Sequence, residues 1–271
     1  MHWSTIDAMA AEALRILGTG GQTYSFSARF PDLDLTAAYK VAMAVRGVRE
    51  ARGDKTVGRK IGFTNRTIWD QYNVHAPIWG WMYDSTVHTV DEVKGGFSLS
   101  GLSEPRIEPE MIFGLNQTPE RGMEPFDLLG CVGWIAHGFE IVQSIFPGWV
   151  FTPADTVAAY GLHGALLIGP RHAVGGDRER WLEALSTFEI DLFRDGELVD
   201  QGRASNVLGG PLYALKHLND LLAHDPSSPP LAAGEIVTTG TLTRAMPIAA
   251  GQSWSTRLHG VDLSPVSIRL R

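Results

Sequence analysis

Glu108 and Glu110 stand two residues apart in the segment Arg106-Ile107-Glu108-Pro109-Glu110-Met111-Ile112-Phe113-Gly114, and the residues that follow them are apolar. In a β-strand, residues i and i+2 share a face. The two carboxylates would then project together while Ile107, Met111 and Phe113 face the other way. Charges beside an apolar run cost solvation energy unless something positive compensates them. Two arrangements meet that demand: a hard divalent cation held by the carboxylate oxygens, or a solvated edge strand with both acids in water. The stretch by itself leaves both open.

A chain of 271 residues has room for one large domain, or for a small domain joined to a larger one. Its 30 glycines predict many turns and close backbone approaches rather than long helices. The formal net charge of −7 argues against a nucleic-acid partner, which calls for a basic face. The single cysteine, Cys131, excludes an intramolecular disulfide framework and suits a reducing cytosol. Set in Leu128-Leu129-Gly130-Cys131-Val132, it reads as a small buried hydrophobe. The chain does not open on a basic segment followed by an apolar core, and no run is long enough to span a bilayer. A cytoplasmic protein with no membrane partner is the expectation.

Ile6, Met9, Ala10, Leu14 and Leu17 recur at helical spacing over 4–17, with Ser4 as the expected N-cap. Leu35, Tyr39, Met43 and the row Val41, Val45, Val48 mark a second helix over 35–52, stopped by Gly53-Asp54. These define a helical segment, 1–56, ahead of a strand-rich body, 57–271. In the body, 57–65 reads as a strand interrupted by glycines, followed by a short helix through Trp69 and Tyr72. His163 to Gly169 reads as a buried strand. Residues 187–193 alternate into an Asp195-Gly196 hairpin turn and a further strand over 197–199. Pro211 opens a helix with Leu212, Leu215, Leu218 and Leu222 as its stripe, closed by Ser227-Ser228-Pro229-Pro230. The tail alternates again over 235–240 and 266–270. The fold class predicted is α+β.

Three further places could carry chemistry. Glu140 lies in Trp134-Ile135-Ala136-His137-Gly138-Phe139-Glu140-Ile141-Val142-Gln143, an expensive setting for an unpaired charge. Together with Glu108 and Glu110 it would give three oxygen ligands for Mg²⁺; alternatively it ends a strand and pairs with an arginine. Lys60, between Gly58 and Gly62 and beside Ile61 and Phe63, would have a partly buried stem. A lysine so placed can titrate lower than usual and serve as a general acid or base, although most lysines are simply solvated. In Thr238-Thr239-Gly240-Thr241-Leu242-Thr243, a Gly-Thr turn offers amides and a hydroxyl to a carboxylate, or is an ordinary hydroxyl-rich turn.

Taken together, these segments resemble the fumarylacetoacetate hydrolase superfamily, and within it the branch of 2-keto-4-pentenoate hydratases and 4-oxalocrotonate (2-oxo-3-hexenedioate) decarboxylases. The resemblance runs from Gly58-Arg59-Lys60-Ile61-Gly62-Phe63-Thr64 through Arg106-Ile107-Glu108-Pro109-Glu110 and Phe139-Glu140-Ile141-Val142. It continues through Leu208-Gly209-Gly210-Pro211-Leu212 to Leu231-Ala232-Ala233-Gly234-Glu235-Ile236-Val237 and Thr239-Gly240-Thr241-Leu242-Thr243. It implies a strand-rich body of layered, partly rolled mixed sheets behind a small helical part. It also implies Mg²⁺ or Mn²⁺ on Glu108, Glu110 and Glu140, Lys60 as the acid/base, and Gly240 and Thr241 beside the substrate carboxylate. The implied substrate is a small 2-oxo acid or 2-hydroxydienoate, and the implied setting is a cytoplasmic homo-oligomer of aromatic catabolism.

Two departures bear on the reaction. Where hydratases of this branch often carry an acid in a P-D-Y-G segment, this chain has Ala76-Pro77-Ile78-Trp79-Gly80, and an aliphatic residue such as Ile78 is what the decarboxylases tend to have. Where the family commonly has D-N-A-S-S-G, this chain has Ala159-Tyr160-Gly161-Leu162-His163-Gly164, so His163 is the candidate to replace the missing polar contacts with the substrate. Hydration is the expected reaction, with decarboxylation next. A carbon–carbon hydrolase of the acylpyruvate type would need His137 or His163 to activate water, and a non-catalytic binding homologue is the remaining alternative. The tryptophans at 79, 81, 134 and 149 could serve an interface or a ligand pocket equally well.

Overall fold

Helical periodicity at the start of the chain produces α1 (Trp3–Ile16), α2 (Phe26–Arg29) and α3 (Leu35–Ala51) in the computed structural model, which describes residues 1–72, 74, 76–225 and 228–271. The cap of α1 is His2, not Ser4: the His2 ring accepts from the Ser4 amide, and Ser4 lies inside the first turn. Asp34 caps α3 by accepting from the Ala37 amide. The buried faces of these helices (Ile6, Met9, Ala38, Val41) share one core with Ile78, Phe146 and Ala154 from the body. The Tyr160 hydroxyl donates to the Ala13 carbonyl across that boundary.

The body continues with β1 (Thr56–Gly62), α4 (Trp69–Tyr72), β2 (Ile78–Tyr83), β3 (Val87–Thr89), β4 (Arg106–Leu115), α5 (Pro125–Leu129), β5 (Val132–Val142), α6 (Pro153–Ala158), β6 (His163–Ile168) and β7 (His172–Ala173). It ends with α7 (Arg178–Thr187), β8 (Glu189–Arg194), β9 (Glu197–Arg203), α8 (Pro211–His224), β10 (Ile236–Thr238), β11 (Met246–Pro247), β12 (Ser253–His259) and β13 (Ser267–Arg269). Of the segment expected to close α8, Ser227 lies outside the described residues.

The fold is α+β. A curled mixed sheet of nine strands runs β2-β1-β10-β4-β5-β6-β3, with β11 on β4 and β7 on β5, and a smaller antiparallel sheet runs β13-β12-β8-β9. The two are layered: Ile107, Phe139 and Leu167 of the first meet Leu192, Trp254 and Ile268 of the second in one apolar core. Asp195 and Gly196, both with positive φ, make the hairpin between β8 and β9. The leucine stripe of α8 packs on the mixed sheet against Phe113 and Val237.

This topology decides the setting of the two acids. β4 lies between β10 and β5, so it is an interior strand and the solvated-edge alternative does not apply. β1 runs parallel to β10, one strand further over, and carries Lys60 toward the same region.

Candidate active site

The antiparallel register of β4 and β5 sets Glu108 directly opposite Glu140 and Glu110 opposite Gly138. One oxygen from each of the three acids can lie within 4.8 Å of the others. Glu110 and Glu140 are fully buried, whereas Glu108 is partly exposed and lines a pocket. Glu140 does not meet an arginine. Lys60 Nζ lies 3.2 Å from its Oε2, and the His163 ring donates from Nδ1 to its Oε1 at 2.8 Å. Gly161 makes room for the lysine stem, because a Cβ there would come within 3.2 Å of Lys60 Cδ.

Three carboxylates this close cannot all ionise in a protein interior without added positive charge. Burial raises the Glu108 carboxyl to about 7, opposed by Lys60 and reinforced by Glu140. Burial, and then the charges of Glu140 and Glu108, hold Glu110 well above the ordinary carboxylate range. Glu140 goes the other way: burial pushes it up, but Lys60 and His163 outweigh that and lower it. For Lys60, burial pushes the ammonium down, yet Glu140, Glu108 and Glu110 more than reverse it. In the metal-free fold the acids around Lys60 thus favour the cation, against the expectation of a lysine that titrates low.

Glu110 Oε1 is buried without a hydrogen-bond partner among the described residues, and Glu140 Oε2 is buried with the Lys60 ammonium as its one close polar neighbour among them. Three carboxyl groups gathered in the interior with an oxygen left unpartnered fit a hard divalent cation, for which an all-carboxylate donor set is suited.

The Thr239-Gly240-Thr241 turn reaches the same place from β10. The Gly240 amide donates to Glu110 Oε2 at 2.7 Å, and Gly240 and Thr241 both line the pocket with Lys60 and Glu108. The Thr241 hydroxyl donates to the Thr243 carbonyl. Glycine is required at 240: φ is +91°, and a Cβ would fall 1.8 Å from Thr64 Oγ1, which itself donates to the Thr239 carbonyl. Gly240→Ala should therefore lower stability by roughly 2–4 kcal/mol in urea denaturation, and a loss below about 0.5 kcal/mol would show that the turn can shift freely.

Two expected substrate contacts point elsewhere. His163 does not line the pocket: its Nδ1 is on Glu140, its Nε2 is 2.9 Å from Thr86 Oγ1, and the ring is buried. It sits behind a carboxylate, as an outer partner does behind a metal ligand. His163→Ala should weaken Mg²⁺ or Mn²⁺ binding by about 10–100-fold in calorimetric titration; an unchanged affinity would make the bond incidental. Ile78 is likewise core, buried with the helical segment and against Gly62. His137 bridges the two sheets, from the Glu110 carbonyl to Thr256 Oγ1, and burial pushes it down to about 4.

Sequence reasoning did not assign the rest of the pocket, where Phe63, Val142, Trp149 and Leu162 stand opposite no other charged lining than Lys60 and Glu108. Of the four tryptophans open to an interface or a pocket, Trp149 lines the pocket, while Trp79 and Trp81 are core. Glu104, upstream of the acids, holds the 147–149 turn by accepting from the Gly148 amide, and its carbonyl accepts from Trp149 Nε1.

No protein-family model matches the chain. It is 30% identical over 232 residues to 2-hydroxyhexa-2,4-dienoate hydratase of Comamonas testosteroni, covering 85% of each chain. It is 28% identical over 258 residues to 2-keto-4-pentenoate hydratase of Paraburkholderia phymatum, covering 94% of each. Among solved structures, 4-oxalocrotonate decarboxylase from Pseudomonas putida G7, complexed with magnesium and adipate, matches with a TM-score of 0.87 at 26% identity over 100% of this chain and 99% of that one. Fumarylpyruvate hydrolase from Pseudomonas aeruginosa, in complex with Mn²⁺ and pyruvate, shares the fold at a TM-score of 0.58 and 14% identity, over 79% of this chain and 88% of that one.

Proposed function

The chain belongs to the family of 2-keto-4-pentenoate hydratases and 4-oxalocrotonate decarboxylases within the fumarylacetoacetate hydrolase superfamily, and from that premise we propose a divalent-metal-dependent lyase that hydrates a short 2-hydroxydienoate. The observation that carries this reading is the meeting of Glu108, Glu110, Glu140 and Lys60 at one pocket.

Glu108, Glu110 and Glu140 would hold Mg²⁺ or Mn²⁺, which when bound supplies positive charge for the oxygens of a 2-oxo acid and for the negative charge that develops on them. Gly240 fixes Glu110 through its amide, and with Thr241 it brings the turn to the substrate carboxylate. Lys60 holds the mobile proton on Nζ, beside the carboxylate cluster. In hydration, the proton of the enol O–H moves to the terminal carbon of the dienoate, by way of Lys60 Nζ, to leave a conjugated 2-oxo-enoate. Water then adds across the remaining double bond, its oxygen bonding to the carbon remote from the 2-oxo group while one of its O–H bonds breaks and that proton goes to the neighbouring carbon.

Decarboxylation is the second reading; the sequence favours it by having Ile78 where the family's hydratases often carry an acid, but that side chain is buried in the core and does not line the pocket. A carbon–carbon hydrolase is disfavoured, since both ring nitrogens of His137 and of His163 are engaged by protein groups and neither residue lines the pocket. The family setting extends the proposal to a cytoplasmic homo-oligomer of aromatic catabolism; among the described residues, no helix is long and apolar enough to cross a membrane.

Purified protein with 2-hydroxypenta-2,4-dienoate and Mg²⁺ should consume the dienoate and yield its hydrated product, and chelation should stop it. CO₂ release from 2-oxo-3-hexenedioate at a higher kcat/KM would replace hydratase by decarboxylase, and no turnover of either would remove both.

A further inference from the structure

Four of the buried side-chain atoms that lack a hydrogen-bond partner among the described residues meet away from the carboxylate cluster: Arg59 Nε and Nη1, Trp81 Nε1 and Glu235 Oε2. Successive residues of a strand point to opposite faces, so Arg59 leaves β1 on the face away from Lys60. There it lies beside Trp81, its register partner on β2, and Val237, its register partner on β10. That face belongs to the large apolar core on which α8 packs, and the Arg59 side chain is only 1% exposed in it.

A guanidinium carries five N–H donors and gives up its hydration when buried. Its carbon lies 4.3 Å from the Trp81 ring centroid and 5.6 Å from that of Trp79. Those ring faces answer its charge but leave its in-plane N–H groups unmet. Glu235 is the acid beside it, yet Oε1 is 3.6 Å from Nη2, beyond hydrogen-bond distance, and already accepts from the Ala232 amide. Arg46 brings a second guanidinium to 4.2 Å from the Trp81 ring centroid, and its own acid is Glu50, at 2.8 Å. Burial pushes Arg59 down to about 10, with Glu235 opposing and Arg46 adding to the push. One N–H at Nε, two at Nη1 and one on the indole thus stand against a single free oxygen, Glu235 Oε2. Donors exceed acceptors here, and most of the excess is on a cation.

We propose that Arg59 and Trp81 hold a small monovalent anion of the halide class between the guanidinium edge and the indole N–H. Bound there, it fixes β1 from behind, on the face opposite Lys60. A spherical halide accepts N–H donors from any direction and needs little room, whereas a carboxylate or phosphate would set further oxygens against Glu235. Arg46 and Glu235 are partly exposed and give the ion a way in.

Crystals of the parent chain soaked in sodium bromide and measured at the bromine absorption edge should show an anomalous peak within hydrogen-bond reach of Arg59 Nε or Nη1 and of Trp81 Nε1. In solution, an ion bound only by the folded state raises the melting temperature. At equal ionic strength and fixed Mg²⁺, sodium chloride should raise it by about 2–4 °C over sodium isethionate, whose anion is too bulky for the site. Trp81→Phe keeps an aromatic ring and removes the N–H; it should erase most of that difference, and Arg59→Met all of it. Bromide found only on the surface, an adventitious ion only, would overturn the proposal. So would Glu235 turned onto Arg59 with no anomalous peak there, equal melting in the two salts, or a chloride effect undiminished in Trp81→Phe. The anomalous map and the comparison of salts use the parent chain, and they decide the matter even where a variant fails to fold.

Discussion

Replacing Glu110 with glutamine should remove divalent-metal binding and yet leave the metal-free protein as stable as its parent, or more so. Both halves come from the same electrostatics. Glu110 is fully buried, and burial together with the charges of Glu140 and Glu108 opposes its ionisation. Glutamine keeps the shape and can still accept the Gly240 amide now bound at Oε2, but it offers no charge to a cation. Affinity for Mg²⁺ or Mn²⁺ should drop by more than about 100-fold, beyond what loss of an outer partner gives, while Glu104→Ala, which removes a turn contact to Gly148, should leave it intact.

The pH dependence carries a definite sign. Glu108, at about 7, and Glu110 are both raised in the metal-free fold, so the folded state binds more protons than the unfolded chain through that window. The stability they contribute is fully present below the ordinary carboxylate pKa and is lost as pH rises through each raised value, which for Glu108 is about 7. Divalent metal should reverse the slope, because it needs the acids deprotonated. Melting curves between about pH 5 and 8, a window that brackets the Glu108 value, should therefore fall with pH without metal and rise with it, and Glu110→Gln should make both slopes shallower. A parent whose metal-free melting temperature rises through the same range would show that the acids are already compensated by something else.

How much of this was legible beforehand differs between residue pairs for physical reasons. The i, i+2 spacing of Glu108 and Glu110 placed them on one face, because strand periodicity is local. Their meeting with Glu140 is a matter of register between β4 and β5, and that of Lys60 with Glu140 depends on β1 lying parallel beside β10. Neither pairing is written in any short window: residue type offers Glu140 as a third ligand only as one of two alternatives, the chain-wide resemblance favours that one, and the Lys60–Glu140 contact appears only in the fold. His163 was read as a substitute polar contact because its segment replaces one, but the chain turns left-handed at Tyr160, Gly161 and Leu162. That turn presents Leu162 to the pocket and sends the imidazole behind Glu140. The titration of Lys60 is set in a similar way: its burial is local and legible in the sequence, whereas the combined charge of three carboxylates depends on strand register.

Lys60→Met should lower turnover by about 10²–10⁴-fold, the usual contribution of a general acid–base group, while the variant still binds metal. Its stability effect should be opposite in sign to that of Glu110→Gln. Removing one partner of a buried ion pair leaves the other uncompensated, typically at about 3–5 kcal/mol, and Glu140 would retain only His163. The metal-free variant should thus melt well below the parent, and saturating Mg²⁺ should recover most of the difference, because the ion then supplies the missing charge. The same reasoning explains how a lysine favoured as a cation could still give up its proton. The acids outweigh burial only while they are uncompensated; with a divalent cation among them, burial dominates and the ammonium becomes easier to deprotonate. A Lys60→Met enzyme with unchanged kcat would remove the lysine from the reaction and leave it as a counter-ion. Loss of kcat together with Mg²⁺-restored stability separates the two roles, since a counter-ion is replaced by the metal and a proton carrier is not.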